Sequence, residues 1–206
     1  MNPEYNGKMN ENIPIKNHTC NFSFFTVFLI LFLFLPLPGL SGESEFQVNK
    51  NASSVVVRLS VSSIHTFEGK LEEYKTDLRY NEDEQVVTRA DFSFNLSDLK
   101  TGIKKRDKKM LKWADHQTYP VARFTKISDS AKAGNRILIG DFEMHGVKKR
   151  VNVPYSFSIE EDEFRIDGNC TLDYRDFDLP VIRFLFLKVK PVMKIQLHFK
   201  GKIIRE

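Results

Sequence analysis

The chain has 206 residues, of which 41% are hydrophobic and 28% charged, with 10 glycines and 8 prolines. This is the composition of a globular protein and excludes collagen-like and wholly disordered chains. The 31 Lys and Arg exceed the 27 Asp and Glu by 4, too even a balance for a dedicated nucleic-acid binder, and two cysteines, Cys20 and Cys170, cannot build a disulfide framework or a Cys-rich zinc site.

From Phe22 to Leu35 the chain runs 14 residues without a charge, and Pro36 and Pro38 follow. As a helix this segment reaches about 21 Å, short of the roughly 30 Å hydrocarbon core of a bilayer. It reads as the h-region of a signal peptide, with Lys16 and His18 before it and the small residues Gly39, Ser41 and Gly42 after it suiting cleavage near Ser41–Gly42. The alternative, an uncleaved anchor, is opposed by the prolines, which stop the helix from lengthening. Residues 1–41 are therefore expected to be signal peptide and N-terminal extension, residues 45–206 one domain, and the mature protein periplasmic or secreted. Removal of residues 1–41 takes away Glu4, Glu11, Lys8 and Lys16, so the net charge is unchanged, and it takes away Cys20, so that Cys170 has no intrachain partner.

Beyond residue 50 the pattern has period two. Strands are predicted over 53–62, 65–80, 85–96, 121–129, 135–144, 149–160, 163–175 and 190–203. In Val151–Ile159 the apolar residues are Val151, Val153, Tyr155, Phe157 and Ile159, and in the 163–175 segment Phe164, Ile166, Cys170, Leu172 and Tyr174 alternate with polar neighbours. Such segments are half-buried strands. Turn residues such as Asn81–Glu84, Gly134–Asn135 and His145–Gly146 separate them. Eight sequential strands with short connections predict an all-β, eight-stranded antiparallel barrel, lipocalin-like, which has no edges to protect. The rhythm breaks over Ser97–Tyr119, where Ile103, Met110, Leu111 and Trp113 suit a short helix around 103–115. Six lysines and Arg106 lie between Lys100 and Lys112. They are either a solvated helix face or an electropositive rim for an anionic head group or membrane surface.

The five histidines are scattered singly, with no spacing that marks a metal site. No nucleophile elbow, phosphate-cradling glycine loop or catalytic cysteine signature is found. Asp173 and Asp176 are close in sequence, but Arg175 between them makes an ion pair the simpler reading. Catalysis is not expected, and no metal or cofactor is called for.

Three segments carry a resemblance. Gly140-Asp141-Phe142-Glu143-Met144-His145-Gly146-Val147-Lys148-Lys149, with Val151-Asn152-Val153-Pro154 after it, is similar to a hairpin of the YceI-like, polyisoprenoid-binding periplasmic proteins. Arg106-Asp107 leading to Tyr119-Pro120-Val121-Ala122-Arg123-Phe124, and Asp173-Tyr174-Arg175-Asp176-Phe177, resemble two further pieces of that family in the same order. Two positions depart from it: Val55–Leu59 lacks an aromatic residue, and Asp178 stands where glycine often follows. The resemblance implies a non-catalytic barrel whose interior takes a long polyisoprenoid, isoprenoid quinone or fatty amide as its ligand.

An eight-stranded barrel is about the size that either fills with side chains or holds one ligand. Ala90, Ala122, Gly140, Gly168 and Cys170, if inward, leave room among Phe92, Phe94, Phe124, Phe157 and Phe199, and Ile166 and Leu197 complete the candidate wall. Met110 and Trp113 are candidates from the helix, and Arg106 is the candidate for a phosphorylated head group, which guanidinium grips through two parallel donors. Expected partners are a hydrophobic small-molecule lipid, an anionic membrane surface in peripheral contact and a second copy in a homodimer, with no nucleic acid. The competing readings are a ligand-free barrel acting as an envelope stress or interaction scaffold and a small outer-membrane barrel, whose apolar face would point outward.

Overall fold

A computed structural model of the chain describes residues 42–60, 65–132, 135–184 and 187–205; the segment read as a signal peptide lies outside the described residues. Its strands are β1 (Glu43–Val48), β2 (Ser54–Ser60), β3 (Thr66–Leu71), β4 (Lys75–Asn81), β5 (Val86–Asn95), β6 (Leu99–Lys100), β7 (Val121–Lys132), β8 (Asn135–Met144), β9 (Val147–Glu160), β10 (Glu163–Asp173), β11 (Arg183–Phe184), β12 (Leu187–Lys188) and β13 (Val192–Arg205). Among the described residues one α-helix, α1 (Lys104–Trp113), stands between β6 and β7. Among the described residues no helix is long and apolar enough to cross a membrane.

Eight strands close an antiparallel ring in the order β1, β4, β5, β7, β8, β9, β10, β13, with β13 returning to β1. Closure depends on the length of β13, which pairs with β10 along one edge while its other edge serves two strands. Residues 193–198 pair with β2, and residues 201–205 pair with β1. Gly201 stands where β1 joins, and a Cβ there would lie 2.0 Å from the Gln47 carbonyl oxygen, so only glycine lets the two backbones meet. β2 carries β3, and β3 carries β6, as an extension of the wall at the α1 end.

The long strands fall where alternation placed them, and two predictions are corrected. The strand expected over 65–80 is two strands, because Leu71 and Tyr74 both turn inward while Glu72 and Glu73 between them are exposed. The phase slips by one residue, and the Glu72 amide leaves the ladder to donate to the Asp98 carbonyl. The sequence reading also had no strand before residue 53. β1 offers only Phe46 and Val48 as large apolar residues, yet Phe46 is among the most buried side chains and Ser44 beside it is buried too.

Most of the ring's apolar side chains point inward, with Ile127, Ile137 and Ile204 as exposed exceptions. Its outer face carries ion pairs such as Arg150–Asp141 and Arg165–Asp167, the reverse of the apolar outer band of a membrane-spanning barrel. Two clusters form the core. Phe46, Tyr80, Phe164 and Phe199 belong to the one at the turn end, with β4–β5 and β9–β10 above it. Ala122, Met144, Tyr174, Phe177 and Met193 belong to the one at the α1 end.

Candidate functional site

Between the two clusters lies a cavity walled by alternate residues of nearly every long strand. β2 supplies Val55 and Val57, β5 supplies Phe92 and Phe94, and β9 supplies Val151, Val153 and Tyr155. β10 supplies Ile166, Gly168, Cys170 and Leu172 in strict alternation, and β13 supplies Ile195, Leu197 and Phe199. The cavity volume is about 120 Å³, and no polar atom faces it. A cavity of about 150 Å³ holds one benzene, so this one holds on the order of five carbon-sized groups. A void with no hydrogen-bonding partner gives water nothing to bind and accepts apolar matter instead. Gly168 contributes by being small: a Cβ there would meet Leu197 at 3.4 Å and Val153 at 3.5 Å, ordinary contact. Gly140 contributes differently, since Phe124 lies over it so closely that a Cβ would fall 2.3 Å from the ring.

Aromatic rings close the cavity at the turn end. Phe46 stacks on Phe164 at 4.3 Å between centroids, on Tyr80 at 5.5 Å and on Phe157 at 5.7 Å. Behind this stack a buried carboxylate, Asp129, accepts from the Tyr155 hydroxyl at 2.7 Å and the Val87 amide at 3.1 Å, with Arg136 at 3.7 Å. Burial pushes the Tyr155 hydroxyl's pKa up, so it stays a proton donor at neutral pH. Arg136 in turn donates to the Gln85 carbonyl and stacks over Phe157. At the opposite end, Trp113 donates to the Pro180 carbonyl at 2.8 Å and meets Tyr174 edge-on. The β8–β9 hairpin turns through His145 (φ 53°) and Gly146 (φ 74°), which suits the left-handed two-residue turn that matches strand twist. The His145 Nδ1–H donates to the Phe177 carbonyl, tying the hairpin to the segment after β10.

The YceI-like domain family matches residues 46–201. This chain belongs to that family. No curated protein matches its sequence. Among solved structures, the YceI-like barrel described here is similar to Burkholderia cenocepacia BcnA, with a TM-score of 0.69 at 16% identity over 76% of this chain and 100% of that one. It is similar to a Campylobacter jejuni YCEI protein, with a TM-score of 0.60 at 12% identity over 68% and 87%. It is also similar to a polyisoprenoid-binding domain from Saccharophagus degradans implicated in plant cell wall breakdown, with a TM-score of 0.54 at 12% identity over 80% and 99%. At these identities the likeness is one of fold.

Of the candidate ligand residues, Ala90, Phe92, Phe94, Phe124, Ile166, Gly168, Cys170, Leu197 and Phe199 are brought together on the cavity wall of the YceI-like barrel. The other five stand elsewhere. Ala122 is wholly buried in the α1-end cluster. Phe157 belongs to the aromatic stack, and Trp113 is held by Pro180 and Tyr174. Met110 is on α1, where its carbonyl accepts from Ala114. Arg106 donates through Nη2 to the Thr101 carbonyl at 2.7 Å and lies over the Phe67 ring, while Asp107 accepts from the Thr101 amide and hydroxyl. The Arg106–Asp107 pair thus anchors the start of α1, whose N-cap, Ile103, has no side chain to cap it.

The wall also includes aliphatic residues that were not candidates, among them Val55, Leu71, Leu78, Val87 and Leu138. Alternation is their only signal in the sequence. Asp178 adopts φ 56°, the left-handed conformation glycine favours, so aspartate fills a glycine-like role at that departure from the family pattern. Arg175 grips Asp173 through Nε and Nη2, so this carboxylate is engaged in an ion pair. Burial pushes the Cys170 thiol up to about 11, so it is a neutral, unreactive part of the wall. Among the described residues no three His, Cys, Asp or Glu are grouped to hold a metal ion.

Proposed function

We propose that this barrel binds a long-chain apolar lipid, of the polyisoprenoid, isoprenoid quinone or fatty amide kind, and carries it in the cell envelope without chemical conversion. The observation that carries this reading is the cavity itself, wholly apolar and built from every ring strand but β1, together with β2 and β3. Family membership supports it, as does the Saccharophagus degradans domain described as polyisoprenoid-binding. The apolar run Phe22–Leu35 supports export to the periplasm or beyond. The lipid is the protein's cargo; no cofactor is needed, and the one thiol on the wall is protonated at neutral pH. A chain segment of about five carbons fits the space as it stands; a longer one displaces the rings of the Phe46 stack or leaves its remainder outside.

Native mass spectrometry of the protein purified from its own source, before and after organic extraction, tests this reading. A mass excess that extraction removes, and that tandem fragmentation identifies as an apolar lipid, is the expected result. A bare polypeptide mass in gently purified protein, with no uptake of added polyprenol, would leave the barrel a scaffold.

A further inference from the structure

The two ends of the barrel differ in charge. At the turn end acids and bases are paired, Asp162 with Arg205 and Glu163 with Lys200, while Glu84, Glu160 and Glu161 are exposed. At the opposite end, Lys104, Lys105, Lys108, Lys109 and Lys112 occupy the solvent side of α1, while its Arg106, Met110, Leu111 and Trp113 are half-buried against the barrel. The helix's own acid, Asp107, is engaged with Thr101. Asp115, Asp176 and Asp178 are exposed at this end, and Arg183 and Lys190 add to its positive side. Two large apolar residues lie exposed beside the lysines: Ile103, 53% exposed where α1 begins, and Val181, 43% exposed next to the Pro180 that Trp113 holds at the other end of the helix.

We infer that the α1 end is a docking face for an anionic lipid bilayer, with the lysines against the head groups and Ile103 and Val181 in the interface. Lysines near an anionic leaflet each strengthen binding by about fivefold, and the attraction fades beyond a Debye length of about 8 Å at physiological salt. Because lysines unpaired among the described residues are gathered on α1, the field orients the barrel as well as attracting it. Exposed isoleucine and valine distinguish this face from one made for nucleic acid, which is met by basic and polar groups. The inference concerns the outer surface and does not depend on what the cavity holds.

The native protein carries its own probe, because Trp113 is the chain's single tryptophan and lies at the end of α1. With vesicles of phosphatidylcholine and phosphatidylglycerol whose acyl chains are brominated, Trp113 fluorescence is expected to be quenched, and to recover when the vesicles are spun away. Pure phosphatidylcholine should quench little. Lys105→Gln with Lys109→Gln should weaken vesicle binding by roughly twentyfold, and Ile103→Ser with Val181→Ser should remove the binding that survives in high salt. All four positions are exposed, and a cooperative melt checks that each variant is folded.

Quenching that persists after vesicle removal would mean that lipid had entered the barrel, and would overturn docking as its cause. Equal binding to neutral vesicles, unchanged binding by the lysine variant, or double-stranded DNA bound as tightly and without regard to Ile103 would each overturn the inference.

Discussion

Filling the cavity from Gly168 is the most direct way to ask whether an acyl or isoprenoid chain lies there. Gly168→Leu adds four carbons, the first in ordinary contact with Leu197 and Val153. The other three project into a space that holds about five carbon-sized groups. A ligand chain is therefore shortened by three to four methylenes at about 0.8 kcal/mol each, close to 3 kcal/mol and roughly a hundredfold in Kd. Titration calorimetry with normal alkanols from ethanol to decanol resolves this as a profile. Affinity should rise about fourfold per carbon up to about five carbons in the wild type and flatten three to four carbons earlier in the variant. Stability should hold, because glycine within a strand costs about 0.5–1 kcal/mol relative to alanine and the new side chain occupies an existing void. Identical profiles in two cooperatively folded proteins would refute the placement. Ala122→Phe is the control. Alternation makes Ala122 a wall position, but it is wholly buried in the α1-end cluster and is not among the residues lining the cavity. The change should cost about 1–3 kcal/mol by overpacking and leave the position of the plateau alone.

Four further outcomes are expected. Asp129→Ala leaves the Tyr155 hydroxyl, the Val87 amide and the Arg136 guanidinium short of an acceptor, at a cost of about 2–4 kcal/mol in urea unfolding; a loss below 1 kcal/mol would mean that solvent replaces the carboxylate. Arg106→Ala removes the bond to Thr101 and the stacking on Phe67; it should lower affinity equally for a polyprenyl diphosphate and a neutral quinone in competition assays, whereas a loss confined to the diphosphate would restore Arg106 as a head-group ligand. The Arg165 guanidinium holds the Asp167 carboxyl below its ordinary value of 3.8, so the stabilisation is present above that value and lost as pH falls through and below it; the urea midpoint of Arg165→Gln should trail the wild type at pH 6 and converge with it near pH 2, and a constant difference would refute the linkage. Cys170 should resist maleimide labelling at pH 8 in the native state and label on unfolding, read at that residue by peptide mass; rapid native labelling would show the wall to be open to solvent.

What was legible in the sequence was the alternation itself. β7 to β10 and β13 announce themselves because each pairs one dry face with one wet one over many residues, and the wall positions Ile166, Gly168 and Cys170 follow from counting by two. β1 escaped because its sequence, Glu-Ser-Glu-Phe-Gln-Val, has too few apolar residues for a pattern; it is a strand because β13 and β4 offer it edges on both sides, a tertiary cause. Arg106 is engaged locally, with Thr101 and Phe67, for a related reason. Charge and helical spacing describe what a side chain could reach, and the Thr101 carbonyl within reach lies in the preceding turn, outside any periodic pattern.

The buried carboxylate shows where counting fails. Ala122 and Phe124 put even-numbered residues of β7 inside, which would leave Asp129 in solvent. At Ile127 β7 carries one residue more than β8, because Lys126 pairs with Gly140 and Ser128 with Ile139. This bulge reverses the phase and brings Asp129 in. β5 has its own irregularity opposite Arg79 and Tyr80, where Arg89 and Val87 pair and Thr88 is passed over. Between these two bulged strands the ladder extends only from Asp91 to Asn95 on β5. Toward the turn end the backbones part, and buried amides and carbonyls there must find other partners. They find side chains: Asp129 accepts from the Val87 amide, and Lys126 donates to the Thr88 carbonyl at 3.1 Å. The aspartate that alternation assigns to solvent is thus the residue that holds this seam of the barrel together, directly behind the apolar cavity wall formed by Val87, Leu138 and Tyr155.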